Sequence, residues 1–212
     1  EFLPVNSRRS KLEMSEVAVD PETPAPDPGL AASVIDRAAE RIIEARQRGA
    51  PVVLCHGAHV IRNGLAPLLG RMVEEGWLQH IATNGAGSIH DWEFAFLGRT
   101  CEDVEEYVSS GQFGMWEETG GSIGLALLVG AFDGLGYGHS IGRMIVEERI
   151  DVPAREELLA ALEAGGCGGP GAAPRAAAAA DLLDAMDNSG LESGARSLPH
   201  SHSSMSIQAA CF

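Results

Sequence analysis

The chain has 212 residues, enough for one domain of ordinary size, and its composition excludes several classes of partner. Thirty acidic side chains against fifteen lysines and arginines give a formal net charge of −15. Because binding to phosphate backbones needs clustered Lys and Arg, this balance argues against DNA, RNA and acidic membranes as partners. It suits a cationic ligand such as a polyamine, although solubility is the simpler explanation for such a charge.

The cysteines and the apolar runs bear on the compartment. The apolar run at 123–132 is shorter than the roughly 20 residues that a spanning helix needs, and no signal peptide pattern is present. The cysteines are far apart and form no CxxC pair, which predicts free thiols in a reducing cytoplasm; they are Cys55, Cys101, Cys167 and Cys211. Because the chain begins at Glu1 without a methionine and ends at Phe212 in an apolar stretch, we expect a fragment of a longer protein.

Residues 1–29 are predicted to form an extended N-terminal arm that lies on the surface of the domain or of a partner subunit. Prolines exclude a helix there; they are Pro21, Pro24, Pro26 and Pro28. Apolar residues at helical spacing predict a helix over 30–48, which Gly49 ends. The domain proper is therefore expected over 30–212.

The short apolar run 51–55 predicts a strand of the kind that is buried on both faces in a parallel sheet, and residues 80–83 are predicted to form the next strand. Helical spacing over 60–75 predicts a helix between them. The alternation of strands and helices over 51–98 is typical of an α/β fold, a parallel sheet with helices on both faces. Only two strands are clear from the sequence.

Two pairs of residues match the capping box, in which a hydroxyl side chain precedes an acidic residue by three positions. Ser88 precedes Asp91, and Thr100 precedes Asp103. Each pair predicts the start of a helix.

The second half of the chain is predicted to be mainly helical. Helices are expected over 112–132, 153–164 and 176–186, with a flexible glycine-rich connector over 165–174. The tail over 191–206 is predicted to be a loop that leaves His200 and His202 in solvent.

Glycine-bearing loops follow the two predicted strands. Because open α/β sheets bind ligands at the carboxyl ends of their strands, these loops are the first candidate site. Glycines allow a dinucleotide to approach the backbone, and a helix N-terminus offers N–H groups to phosphate, although the same glycines could serve turns alone. The candidate contacts are Gly57, Ala58 and His59 in the first loop, and Thr83, Asn84, Gly85, Ala86 and Gly87 in the second.

The segments 57–65 and 81–91, with Met72-Val73 between them, resemble deoxyhypusine synthase. The resemblance extends over about residues 50–108, and the chain looks like a divergent member of that family. It implies a Rossmann-like NAD-binding fold, with both loops in contact with NAD and with Thr83 beside the cofactor. It also implies a homotetramer with shared active sites. Asp91 matches an acidic residue of the family, so Asp91 and its neighbour His90 are weak catalytic candidates.

The family's reaction, as the resemblance implies it, oxidises a polyamine with NAD and transfers an aminoalkyl group to a lysine as an imine. Imine chemistry needs a primary amine. The one lysine, Lys11, lies in the N-terminal arm and does not match the family's catalytic position. We therefore expect this chain to hold the cofactor-binding portion of a transferase, with the catalytic lysine in sequence outside it, or else a branch with a different activity.

Three alternatives remain open. Histidines near the two strand ends, with Asp91, could bind zinc in a metal-dependent hydrolase, although no ligand spacing supports it; they are His56, His59, His80 and His90. Glu117 and Glu118 beside Trp116 could bind a cation, or they could be a solvated helix edge with a core tryptophan. The chain could also be a nucleotide-binding regulatory or assembly protein without catalysis.

Overall fold

The protein is described by a computed structural model that covers residues 2–165 and 171–212. Within these residues it is an α/β protein, in which short strands form three two-stranded sheets among many helices. The strands are β1 (Ser10–Glu13), β2 (Val53–Cys55), β3 (His80–Ala82), β4 (Arg99–Glu102), β5 (Arg149–Val152) and β6 (Gly194–Ser197). The helices are α1 (Met14–Val17), α2 (Ala32–Gln47), α3 (Ala58–Arg62), α4 (Ala66–Glu74), α5 (Gly85–Leu97), α6 (Val104–Ser109), α7 (Glu117–Phe132), α8 (Tyr137–Glu147), α9 (Arg155–Gly165), α10 (Ala172–Ser189) and α11 (Ile207–Ala210).

The two predicted strands are present and parallel, but the expected burial of the first is wrong, since Val53 is 52% exposed and Cys55 is exposed. Val53 of β2 pairs with His80 of β3, and Cys55 pairs with Ala82. Helices α3 and α4 connect the strands, and α5 follows β3. The predicted α/β alternation over 51–98 is therefore confirmed.

The wider parallel sheet is not found in the described residues. Strand β4 follows α5 but pairs antiparallel with β1, and β5 pairs antiparallel with β6. Among the described strands, the parallel arrangement is thus confined to β2 and β3. The remaining strands are short and partly polar, and β6 is exposed along its whole length, so no apolar run marks them in the sequence.

The N-terminal arm divides into two parts. Val5 and Met14 are buried, and β1 pairs with β4, so the first part packs into the domain and not on its surface. The proline-bearing stretch 18–28 contains no helix or strand. The close packing of the first part depends on Arg8, which is itself buried.

The helix predicted over 60–75 is broken into α3 and α4. Between them Gly64 adopts a left-handed conformation with φ of 79°. A Cβ atom at this position would lie 1.9 Å from the carbonyl oxygen of Val17. The chain turns here because the N-terminal arm passes directly against it.

The other predicted helices correspond to α2, α7, α9 and α10, and α8 was not predicted. The predicted connector 165–174 includes residues 166–170, which lie outside the described residues, and α10 begins within it at Ala172. Helices begin beside both capping-box pairs, at Gly85 and Val104, but the predicted caps are wrong. Asn84, and not Ser88, caps α5, and Asp103 itself caps α6 while Thr100 lies buried in β4.

The main hydrophobic core lies among α5, α7, α8, α9 and α10, with Trp92, Phe132, Ile145 and Leu182 fully or nearly fully buried. A smaller cluster joins α1, α3, α5 and α11. In the described part of the chain, no single helix has both the length and the apolar character needed to cross a bilayer. Helices α7 and α8, bent by 112° at their junction, meet those limits only as a pair and only by length and composition.

Candidate functional site

The loops that follow β2 and β3 lie side by side. The His56 amide donates to the Ala82 carbonyl at 2.9 Å, and His56 Nδ1 lies 3.4 Å from Thr83 Oγ1. A Cβ atom at Gly57 would lie 3.8 Å from the Asn84 side-chain nitrogen. The parallel pairing therefore brings the two predicted loops together at one edge, as the sequence analysis requires.

The second loop leads directly into α5. Asn84 caps this helix, because its side-chain oxygen accepts a hydrogen bond from the Gly87 amide at 2.9 Å. A Cβ atom at Gly87 would lie 2.2 Å from Thr83 Oγ1, so a larger residue there would force the Thr83 hydroxyl to move. The first turn of α5 has no acidic side chain, and although Asn84 occupies the Gly87 amide, the amides of Gly85 and Ala86 and the positive dipole end are available to an anion.

A pocket of about 480 Å³ adjoins these loops. It runs along β3 to the start of α8 and to the C-terminal segment. Its apolar wall includes Val73, Leu78 and Ile81. Its polar lining consists of His56, Gln79, His80, Thr83, Tyr137, His139 and Gln208.

Among the eight predicted cofactor contacts, only one lines this pocket. Thr83 lines it. Gly85 is its neighbour, because a Cβ atom there would lie 3.9 Å from the hydroxyl of Tyr137. The first-loop contacts lie at the start of α3, where Gly57 and His59 are exposed and Ala58 is partly buried. Asn84 and Ala86 are exposed at the start of α5.

The start of α8 is part of the site that the sequence analysis missed. Gly136 precedes the helix, and Tyr137 and His139 of its first turn line the pocket. This first turn also lacks acidic residues. The apolar spacing of Ile141, Met144 and Ile145 is a helical signal that could have identified α8.

The C-terminal segment is held against the pocket by Asp91. This carboxylate is 1% exposed and accepts hydrogen bonds from the Ser206 hydroxyl at 2.6 Å and from the amides of Ile207 at 3.0 Å and Gln208 at 3.1 Å. Burial raises the pKa of Asp91, and these three hydrogen bonds oppose that effect. Asp91 therefore anchors residues that line the pocket without lining it itself.

The second weak catalytic candidate, His90, faces away from the pocket. Its Nδ1 lies 2.7 Å from Thr100 Oγ1, and Thr100 in turn donates to the buried carboxylate of Glu93. Burial lowers the pKa of the His90 imidazole. His90 thus belongs to the polar network around Glu93.

The histidines of the metal hypothesis do not form a ligand set. His56 and His80 line the pocket, whereas His59 is exposed and His90 contacts Thr100. Within residues 2–165 and 171–212, no group of three or more His, Cys, Asp and Glu side chains could hold a metal ion. Asp91 is already engaged by three donors.

Trp116 is a core residue and not part of an open site for a cationic ligand. It is 2% exposed, and its ring nitrogen donates to Glu102 at 2.7 Å. The guanidinium of Arg8 lies 5.6 Å from the centre of its ring, so a cation of the protein itself occupies this face. Glu118 accepts from the Val5 amide at 2.6 Å, and Glu117 remains exposed.

His200 is buried, contrary to the prediction of an exposed tail. It is 1% exposed and packs edge-on against Trp92 and Phe96. His202, as predicted, is exposed. Burial lowers the pKa of His200, although the nearby Leu198 carbonyl and Glu148 carboxylate partly oppose that effect.

The wild-type protein is expected to lose stability in acid as His200 takes up a proton. The His200→Phe variant is expected not to show this loss. Because the folded-state pKa lies below the ordinary value of 6.5, the unfolded chain binds the proton more readily. The neutral, buried imidazole of His200 contributes its full stabilisation above pH 6.5. This stabilisation is lost as the pH falls through the lowered pKa of His200. Urea unfolding of wild type and His200→Phe at about pH 7.5 and about pH 5.5 measures this difference in pH dependence. If the unfolding free energy changes equally between the two pH values in both proteins, the prediction is wrong.

Comparisons with protein-family models, with curated proteins and with solved structures found no match to this chain.

Proposed function

We propose that the two loops and the adjoining pocket bind NAD, and that the chain is the cofactor-binding portion of a deoxyhypusine synthase-like transferase. The observation that carries the proposal is the juxtaposition of the loops after β2 and β3 beside a pocket of about 480 Å³. Pockets of this size suit small molecules and cofactors. The finer fold assignment, a Rossmann-like parallel sheet with helices on both faces, belongs to this proposal.

Two helix ends support a site for the pyrophosphate of the dinucleotide. Helices α5 and α8 both begin at the pocket edge, and neither has an acidic residue in its first turn. Gly85 and Gly57 present bare backbone to an approaching ligand. In a chain of net charge −15, these local dipoles and backbone amides are what favour an anion here.

The proposed reaction acts on a polyamine or another small amine. When bound, NAD would accept a hydride from the carbon beside the amine nitrogen. Thr83 would orient the cofactor, and the overall negative charge would attract the cationic amine. Lys11 lies in β1 and pairs with Asp103 at 2.9 Å, so we assign the acceptor amine to another molecule.

A second candidate function is nucleotide binding without catalysis. Asp91 and His90, the two catalytic candidates, do not line the pocket, because structural hydrogen bonds hold both side chains. Their positions therefore favour binding without catalysis. The two candidates differ in one assay. The transferase produces NADH absorbance when NAD and a polyamine are mixed with the protein, and the binding protein does not. Under either candidate we propose a cytoplasmic homo-oligomer, a tetramer by resemblance.

Replacing Gly85 with valine is expected to weaken NAD binding by about tenfold or more, because the side chain projects between the loop and Tyr137. The fold tolerates the change, since a Cβ atom at Gly85 meets nothing closer than 3.9 Å. Calorimetric titration with NAD measures the affinity. Gly121→Val is the matched control, because Gly121 lies in α7 with nothing within 4 Å of its Cβ position. Equal affinity in wild type and Gly85→Val would remove this loop from the cofactor site.

A further inference from the structure

We infer that two copies of this chain pair through α2, with the two helices antiparallel. None of the 16 residues of α2 is buried. Isolated helices of this length are marginally stable in water, because most helices in proteins depend on the packing of an apolar face. Helix α2 has such a face but does not bury it, so a further surface is needed to cover it.

The apolar side chains of α2 are left in solvent. Val34, Ile35 and Ile43 are 57%, 53% and 45% exposed. Ala38 is exposed as well, and Ile42 is partly buried. On the side toward α4, a groove of about 480 Å³ lies between the two helices, and Ile42 and Ile43 line it. Clusters of exposed apolar side chains of this kind mark interaction sites.

The sequence of α2 is complementary to itself when one copy is reversed. Residues 34–43 are Val-Ile-Asp-Arg-Ala-Ala-Glu-Arg-Ile-Ile. In an antiparallel pair centred on the two alanines, Val34 of one copy lies level with Ile43 of the other. Ile35 likewise lies level with Ile42. Small side chains at the centre allow the helices to approach closely. Because the same patch serves both copies, the contact closes as a two-fold dimer.

The charges of α2 fit the same pairing. Asp36 of one copy lies level with Arg41 of the other. Arg37 lies level with Glu40 in the same way. A parallel pair in register would instead set each of these charges level with its own copy. Charge complementarity therefore selects the antiparallel arrangement.

A second copy meets the least electrostatic opposition at α2. The whole chain carries a net charge of −15, so two copies repel each other on average. Residues 32–48 contain four arginines and three carboxylates, a net charge of +1. The apolar pattern and the local charge thus point to the same surface and to the same partner.

Sedimentation velocity of the wild-type chain at concentrations between roughly 1 and 200 µM tests the pairing. A 16-residue helix is about 24 Å long, so the interface is small and we expect a dissociation constant on the order of 10 µM. The mass is expected to rise with concentration from that of one chain toward that of two. A chain that stays monomeric throughout this range overturns the inference.

Substitution on α2 tests the location of the interface. Val34→Glu is expected to weaken pairing by at least about tenfold, because two-fold symmetry places two new carboxylates in the contact. Val108→Glu is the matched control, since Val108 lies on α6 and is also 57% exposed. Because both side chains are exposed, both variants are expected to keep the circular dichroism of the wild type. Pairing that Val34→Glu leaves unchanged, or that Val108→Glu weakens equally, overturns the assignment to α2.

Engineered cysteines test the direction of the pair. In the antiparallel dimer the two Ala38 positions lie nearly level, whereas the two Ala31 positions lie about 22 Å apart along the helices. Cys55→Ser first removes an exposed native thiol, and this chain is the blank. On oxidation, Ala38→Cys is expected to form a disulfide between copies and Ala31→Cys is not, because a disulfide needs neighbouring Cα atoms. Equal cross-linking of both variants overturns the antiparallel arrangement.

Pairing through α2 does not depend on NAD binding, and the two proposals fail separately. If the chain dimerises through α2 while NAD does not bind, the cofactor proposal falls and the pairing stands. If NAD binds and Gly85→Val weakens it, but the chain is monomeric or assembles through a surface that Val34→Glu leaves intact, the reverse holds.

Discussion

Replacing Arg8 with alanine is expected to lower the free energy of unfolding by about 3–5 kcal/mol, because it leaves a buried carboxylate without its counter-charge. Arg8 and Glu93 are 4% and 1% exposed. Two hydrogen bonds of 2.6 and 2.8 Å join the guanidinium to the two carboxylate oxygens. Thr100 and Thr119 also donate to Glu93, but neither carries a charge.

Urea unfolding of Arg8→Ala and of a neighbouring control tests this expectation. Arg9 is well exposed and lies 3.9 Å from Glu106, so Arg9→Ala is expected to change stability by no more than about 0.5 kcal/mol. The double variant Arg8→Met, Glu93→Leu is expected to recover much of the loss, because it removes both charges together. Similar effects for Arg8→Ala and Arg9→Ala would show that the buried pair does not hold the N-terminal arm.

Replacing Asp91 with alanine is expected to lower the free energy of unfolding by about 3 kcal/mol and to release the C-terminal segment. The change removes a hydrogen bond to the Ser206 hydroxyl and leaves the buried amides of Ile207 and Gln208 without acceptors. Since Ile207 and Gln208 line the pocket and then lose their position, NAD binding is expected to fall with stability. Asp91→Asn is expected to retain part of both, because its amide oxygen still accepts.

Two measurements separate the local effect from global unfolding. Urea unfolding gives the total change, and limited proteolysis shows whether cleavage begins after about residue 198. Asp187→Ala is the matched control, because Asp187 forms an exposed pair with Arg155 at 2.7 Å and anchors no other segment. If Asp91→Ala is no more easily cleaved near its C-terminus than Asp187→Ala, the anchoring role is wrong.

The elements that the sequence predicts are those with a local signal. Strand β2 lies in a short apolar run, β3 contains Ile81 and Ala82 before a glycine-bearing loop, and α2, α7, α9 and α10 have helical spacing or good helix formers. Strand β1 has only four residues and includes Lys11, so its place depends on β4, which is distant in sequence. The break at Gly64 likewise depends on Val17, and no local pattern marks it.

The candidate site likewise combines residues that a local sequence signal predicts with residues that long-range contacts place. The loops around Gly57 and Gly85 follow predictable strands, and parallel pairing alone brings them together. Asp91 matches a capping box by spacing, but its partners lie more than a hundred residues away in the C-terminal segment. The burial of His200 similarly depends on Trp92 and Phe96. Long-range contacts of this kind leave no periodicity in the sequence, which is why Gln208 was not a candidate.

The most direct test of NAD binding at the loop edge is a set of backbone amide NMR shifts recorded during NAD addition. The amides of Gly57, Gly85 and Ala86 are expected to shift together with those of Tyr137 and Gly138, because the first loop lies beside Asn84 and the second loop and the start of α8 adjoin one pocket. The exposed amides of α9 are expected to remain unchanged. Saturable NAD binding that leaves the Gly57 and Gly85 amides unshifted would contradict the account.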